Sequence, residues 1–385
     1  MNNEKQQIQE ELADWAEKTV EVYNPMAQST GLGFYTQTPL CNIIKSPDLL
    51  ILGINPGYGG GKEIMTGEEL LKGNPCFEGK DIIKVMSEER DENKKIKGWA
   101  LWHKIHKMLG YAGKGELLEK PDKFVLTNMV FFGTAHQGQI PKKIDQEYCA
   151  KQTLELIDIL KPKVVLLLGD QTRDLFKKIA NISHMEELVP NYHDFYCFYN
   201  NIHVISIYHT AYYSYFNFDN MAFIGNILGY ALDNSRERID KNKLERYLYG
   251  RTIIRAIRIK NLLNRTDAIS LIDSDKALSY DLWQTIKKSN YVKSKDNIVI
   301  DLTPEEDKKQ YVLLVFTRQN NEEKTKELIK GIWPNEEFHP WECDKSRHVH
   351  KVISFEVSNE EIKNIMEKVL NEVKAYRDKE FPINR

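Results

Sequence analysis

The sequence predicts an α/β protein, with a central, mostly parallel sheet covered by helices on both faces and a smaller α+β unit after it. Short apolar runs (PDLLILG, KFVLTN and KPKVVLLLG) are separated by stretches with apolar residues at helical spacing. Beyond about residue 240 the chain becomes strongly basic and then alternates charged and apolar segments. The two units are accordingly placed at 1–240 and 241–385.

The elements follow in order. Residues 4–23 read as an amphipathic helix, with Ile8, Leu12, Trp15, Ala16 and Val20 on one face. PDLLILGINPG is an apolar strand that runs into a Gly/Pro turn. Residues 98–110 form a helix closed by Gly110. KFVLTNMVFFG is a second buried strand, and residues 145–160 form a helix stopped near Pro162. KPKVVLLLG is a third strand, followed by a helix from about Gln171 to Ile179, and DFYCFYNNIHVISIYH holds one or two more strands. Strands this uniformly apolar belong in a sheet buried on both faces. In the second unit a basic helix comes first, then a charged loop and an apolar strand within KSKDNIVIDLTPEEDKKQYVLLVFTRQN. A helix at 321–331, a strand near HVHKVISFEV and a charged helix at 358–378 complete it.

The composition, 41% hydrophobic and 29% charged over 385 residues, supports a real core. No run of 18 apolar residues offers a membrane span. The start, MNNEKQQIQEELADW, lacks the apolar core of a secretory signal, so a cytoplasmic location is expected. The cysteines, Cys41, Cys76, Cys149, Cys197 and Cys343, are scattered and never spaced as CxxC. They read as reduced, buried thiols, and neither a metal nor another cofactor is expected. His348 and His350 alternate along a strand and could share a face, but two residues do not make a metal site.

A net charge of −2 announces no nucleic-acid partner, whereas the charge distribution does. Between Lys241 and Arg265 stand eight basic residues and one acidic residue, Glu245. Arg251, Arg255, Arg258 and Arg265 share a helical stripe, with Ile253, Ile254, Ile257 and Leu262 available for the buried side. Such a stripe either neutralises phosphates or is an ordinary solvated face.

In an open α/β sheet, ligands bind beyond the carboxyl ends of the strands. The first strand ends in Gly53-Ile54-Asn55-Pro56-Gly57, the second carries Thr127-Asn128, and the last delivers Tyr208-His209-Thr210-Ala211. Two amides and an imidazole suit cleavage of a bond with a stable anionic leaving group. An amide can orient water or read a base edge, and a histidine can stabilise negative charge developing on a carbonyl oxygen. Read singly, each of these residues is equally at home in a strand-to-loop turn or a cap.

Together these segments resemble the uracil-DNA glycosylase superfamily, above all its single-strand-selective monofunctional group and bacterial relatives. The resemblance runs through Val22-Tyr23-Asn24-Pro25-Met26-Ala27, Leu52-Gly53-Ile54-Asn55-Pro56-Gly57, Met65-Thr66-Gly67 and Asn74-Pro75-Cys76-Phe77-Glu78-Gly79. It continues through Gly98-Trp99-Ala100-Leu101-Trp102, Val125-Leu126-Thr127-Asn128, the strand from Val164 to Gly169, and His209. It covers roughly residues 15–230. It implies a uracil-DNA glycosylase-like fold acting on DNA by flipping a base out of the stack. Asn55 would position the attacking water, Asn128 would read the base edge, and Phe77 would stack on the base. His209 would stabilise the departing anion, and backbone groups near Ile54 and Gly57 would line the pocket. Tyr212, Tyr213 and Tyr215, close after His209, would supply an aromatic wedge into DNA. Outside the resemblance, Arg251, Arg255 and Arg258 of the basic stripe are the candidates for phosphate contact. No lysine sits in a motif, so the expected product is an abasic site in an uncut strand.

The chain also departs from the family pattern. His209-Thr210-Ala211 stands where His-Pro-Ser is usual, and Met129-Val130-Phe131-Phe132-Gly133-Thr134 follows Asn128 in place of a Cys-Pro-Leu type segment. These changes leave three readings open: a repair glycosylase for uracil or an altered pyrimidine, a glycosylase against modified bases in phage DNA, and a base-flipping binder without catalysis.

Overall fold

The computed structural model describes residues 2–57, 61–87, 99–134, 140–189, 192, 194–211, 218–251, 254, 269–274, 277–285, 297–305, 310–317, 322–342, 344–354 and 356–380. The chain divides into two compact units, Met1–Glu245 and Arg246–Arg385.

The first unit is built on six strands: β1 (Leu49–Gly53), β2 (Phe124–Asn128), β3 (Val164–Leu168), β4 (Glu186–Glu187), β5 (Phe195–Tyr199) and β6 (Ile202–Ile207). Their order is β2-β1-β3-β6-β5-β4. The first four run parallel, and β5 and β4 add an antiparallel edge. The aromatic-rich segment is therefore a hairpin. Its turn residues, Asn200 and Asn201, have φ of 46° and 63°, the left-handed pair of a type I′ turn that asparagine tolerates. Every residue of β1, β2, β3 and β6 is buried, which is why the sequence shows apolar runs and no alternation.

One face of the sheet (Leu50, Leu52, Val125, Val165) packs into a cluster with helices α1 (Asn2–Thr30) and α5 (Gln146–Leu160). Helices α2 (Gly67–Lys72), α3 (Ile82–Ser87) and α6 (Asp170–Ile179) complete the links between strands. Helices α4 (Ala100–Gly110) and α7 (Phe218–Asp233) pack on one another. Gly225 lets their backbones meet, because a Cβ there would lie 1.8 Å from the Met108 carbonyl oxygen.

Helix α1 runs past the expected end at residue 23 and through Pro25 to Thr30. A proline inside a helix removes one backbone hydrogen bond, so tertiary contacts must hold the extension. Tyr23 and Ala27 are fully buried on either side of it. The Asn24 amide donates to the Met65 carbonyl at 3.0 Å and accepts from the Met65 N–H at 2.9 Å. The same pair of bonds fastens the loop that leads to α2.

Asp194, just before β5, is a fully buried carboxyl that accepts from the Val189 N–H. Burial pushes it up to about 7. Between about pH 4, where an unfolded aspartate ionises, and that raised value, the folded chain holds a proton the unfolded chain has released. Stability therefore falls as pH rises through this window. Asp194→Asn keeps the acceptor and removes the charge, so its Tm at pH 7.5 should exceed that of the wild type and change less between pH 4.5 and 7.5. Parallel Tm–pH curves for the two proteins would contradict this.

Helix α8 (Lys241–Gly250) precedes the second sheet. That sheet comprises β7 (Ile269–Ser274), β8 (Ala277–Thr285), β9 (Asn297–Glu305), β10 (Gln310–Thr317), β11 (His339–Trp341) and β12 (Asp344–Ser354). It is antiparallel throughout, in the order β11-β12-β10-β9-β8-β7. Helices α9 (Glu322–Ile332) and α10 (Asn359–Glu380) pack on it. The segment expected as a charged loop and one strand is in fact two paired strands, β9 and β10. The β7–β8 hairpin was not expected at all, although Leu278, Tyr280 and Leu282 carry the period-two signal.

The irregular register of β12 against β10 places His348 opposite Val315, Val349 opposite Leu314 and Lys351 opposite Leu313, so His350 is the extra residue of a bulge. His350 stacks with Phe338 and Trp333 and lies 3.5 Å from Glu336, so the two histidines do not form a simple same-face pair. Among the described residues, no group of three or more His, Cys, Asp or Glu is gathered as a metal site. Cys149 and Cys197 are buried as expected, but Cys41 and Cys76 are exposed. No helix among the described residues is long and apolar enough to cross a membrane.

Candidate active site

The carboxyl ends of β1 and β2 and the segment after β6 open on one cleft of about 250 Å³. Gln37, Gly53, Asn55, Pro56, Gly57, Trp99, Leu101, Leu126, Thr127, Asn128 and His209 line it. The three polar strand-end residues singled out in the sequence are thus brought together. The cleft is smaller than the roughly 300–1,000 Å³ of pockets that enclose drug-sized ligands.

Asn55 follows β1 and is 4% exposed. Its Nδ2 donates to Thr134 Oγ1 at 2.7 Å, to the Pro56 carbonyl at 3.0 Å and, more weakly, to the Phe132 carbonyl at 3.4 Å. The carbonyl oxygens can only accept, so they fix which end of the amide is nitrogen. Thr134 itself is held by its N–H to the Pro56 carbonyl at 3.3 Å. The Phe132-Gly133-Thr134 stretch, a departure from the family pattern, is therefore what orients Asn55.

Asn128 ends β2 directly beside Gly53 in the parallel register. A Cβ at Gly53 would stand 2.7 Å from Asn128 Oδ1. Only glycine lets the asparagine side chain lie across the end of β1. The Asn128 carbonyl is in turn anchored by Thr153 Oγ1 of α5 at 3.2 Å.

His209 is partly buried and packs beside Gly169, whose φ of 90° is a backbone conformation that favours glycine. The Ala211 N–H donates to His209 Nδ1 at 3.2 Å. An N–H can only donate, so Nδ1 is an acceptor and the proton of the neutral ring sits on Nε2. Burial, and then the charge of Lys104, hold the imidazole below its ordinary range. The ring is thus a neutral donor at neutral pH.

Other expected residues fall elsewhere. Phe77 is buried, lines a neighbouring cavity with Cys41 and Lys62, and packs on Trp99 with ring centroids 5.2 Å apart. Trp99 also lines the Asn55 cleft, and Phe77 is not among that cleft's lining residues. The Ile54 side chain is in the core, and its carbonyl accepts the Val130 N–H at 2.9 Å, which sets it apart from Gly57 on the cleft wall. Arg251 follows α8 and lies 6.0 Å from the Tyr247 ring. Ile254 is fully buried, as expected of the apolar side of that segment. Tyr212, Tyr213, Tyr215, Arg255 and Arg258 lie outside the described residues.

Gln37 and Trp99 were not anticipated in the cleft. Gln37 is flanked by buried Thr36 and Thr38, whose hydroxyls donate to the Leu70 and Leu126 carbonyls at 2.8 and 3.1 Å. That alternation was the available signal for a fixed extended segment presenting Gln37.

Residues 40–228, most of the first unit, match the family model of the Uracil DNA glycosylase superfamily. This unit belongs to that superfamily. No curated protein matches the chain. The superfamily is one of DNA glycosylases, hydrolases that act on DNA, and all the lining residues of the cleft except Gln37 lie within the matched stretch.

Proposed function

We propose that the chain is a monofunctional DNA glycosylase that hydrolyses the N-glycosidic bond of a flipped-out uracil or modified pyrimidine. The observation that carries this reading is the meeting of an orientation-fixed Asn55 amide, the Asn128 amide and a neutral Nε2–H of His209 in one cleft. The bond from C1′ to the base nitrogen breaks with its electron pair leaving on the base. Asn55 holds a water whose oxygen forms the new bond to C1′, and the proton that water loses ends on the departing base anion. An amide is a poor base, so the bond must break largely before the water attacks. Asn128 reads the polar edge of the base. His209 donates to the carbonyl oxygen on which charge develops, a preorganised dipole of the kind worth several kcal/mol in a dry site. Trp99, backed by Phe77, stacks on the ring. Trp99 and Leu101, at the start of α4, line the same cleft, so the positive end of that helix dipole lies beside it.

The test is an abasic-site assay on oligonucleotides carrying uracil in single strands, opposite adenine and opposite guanine, together with 5-substituted pyrimidines of the kind found in phage DNA. The expected result is base release from at least one substrate, with strand breakage only after alkali. DNA binding without release of any base would refute catalysis, and strand breakage without alkali would refute the monofunctional assignment.

A further inference from the structure

Lys104, on α4, is absent from every motif that pointed to the site, yet its Nζ donates to the carbonyl oxygen of Thr210. The Thr210 carbonyl and the Ala211 N–H belong to one peptide unit. On one side that unit accepts from the Lys104 ammonium; on the other it donates to His209 Nδ1 at 3.2 Å. The groups form a chain of contacts: ammonium, peptide, and the imidazole of a residue that lines the cleft. Hydrogen bonds in such a chain polarise one another. A cation on the carbonyl makes the peptide N–H a stronger donor to Nδ1, and a more strongly engaged Nδ1 makes Nε2–H a stronger donor in turn. The line also locks the tautomer, because a proton on Nδ1 would face the Ala211 N–H.

We propose that Lys104 is a positioning residue that acts through the Thr210–Ala211 peptide to hold His209 as the neutral Nε2–H tautomer and to strengthen its hydrogen bond to the departing base. The catalytic half of this proposal rests on the glycosylase reading; the tautomer half does not. It also accounts for threonine where the family has proline. The loop is stiffened from outside by a charged hydrogen bond to its carbonyl, not from within by a ring. Gly169, which adjoins His209, is followed at the start of α6 by Asp170 and Arg173, and these are paired with one another at 2.8 Å. Tyr208 is the titratable neighbour on its own segment. Lys104 is the charge that acts on the imidazole.

The experiment is ¹⁵N NMR of the imidazole in the full chain without DNA, for wild type, Lys104→Met, Lys104→Gln and Lys104→Arg, paired with single-turnover base release across pH. Methionine keeps the apolar stem, glutamine keeps a donor without charge, and arginine keeps both. In Lys104→Met the His209 titration midpoint should rise, Nδ1–H tautomer should become detectable, and base release should slow roughly tenfold, less than the loss of a direct donor to the anion costs. Lys104→Gln should keep the tautomer but raise the midpoint, and Lys104→Arg should resemble wild type in both. An unchanged midpoint and tautomer in both Lys104→Met and Lys104→Gln would overturn the proposal. If the wild type releases no base, the glycosylase reading fails while the NMR arms still decide whether Lys104 sets the state of His209.

Discussion

Asn55→Ala should slow single-turnover base release on the order of 10²–10³-fold while leaving DNA affinity within a few-fold of wild type. The size follows from what the amide does. It is no base and supplies no proton, so in the proposed reaction its contribution is geometric: it would hold a water within reach of C1′ as the sugar becomes electron-poor, and misplacement by about an ångström costs on the order of a hundredfold. The side chain is also structural, because Thr134 Oγ1 and the Pro56 and Phe132 carbonyls lose a donor when it is removed. A lost hydrogen bond costs about 0.5–1.5 kcal/mol, so a modest fall in Tm accompanies the rate loss. Thr134→Val separates the two effects. It keeps shape and leaves Asn55 in place but removes the 2.7 Å acceptor that helps orient the amide. Its rate should fall between those of wild type and Asn55→Ala, with nearly wild-type DNA binding. Base release by Asn55→Ala within about threefold of wild type would remove Asn55 from the mechanism, because geometry at this position is expected to be worth far more.

The residues of the cleft divide by how they are placed. Asn55, Asn128 and His209 were legible because each ends or follows an apolar strand, and the carboxyl edge of a parallel sheet collects such ends whatever the loops do. Gly53 was legible as a turn residue, but not as the gap over which Asn128 lies. Trp99, Lys104 and Thr134 were not legible as site residues. Trp99 reads as the start of a helix and Lys104 as a charge on its surface, and only the packing of α4 brings them to the ends of the strands. Phe77 shows the same limit from the other side: the motif offers an aromatic for the site, but only packing shows that Trp99 lines the cleft and Phe77 packs on Trp99. In the second unit the hairpin of β7 and β8 carries the alternation of a strand.

His209→Ala should slow base release by about 10²–10³-fold, the usual cost of removing one preorganised donor from a developing anion. It should also change the shape of the pH profile. Burial and the neighbouring Lys104 charge hold the imidazole below its ordinary value of 6.5, so the neutral ring persists through neutral pH and the charged ring forms only in more acidic solution. Nε2 already carries a proton, so acid must protonate Nδ1, which then faces the Ala211 N–H that now binds it at 3.2 Å. Two donors cannot share that position, and the loop that aims the ring gives way. Wild-type base release should therefore be flat through neutral pH and fall on an acid limb whose midpoint lies below 6.5. In His209→Ala the residual rate should lack that limb. A wild-type rate that rises as the pH drops below 6.5 would mean that the active form is the imidazolium, and that His209 works by full charge and not through a neutral, tautomer-locked hydrogen bond.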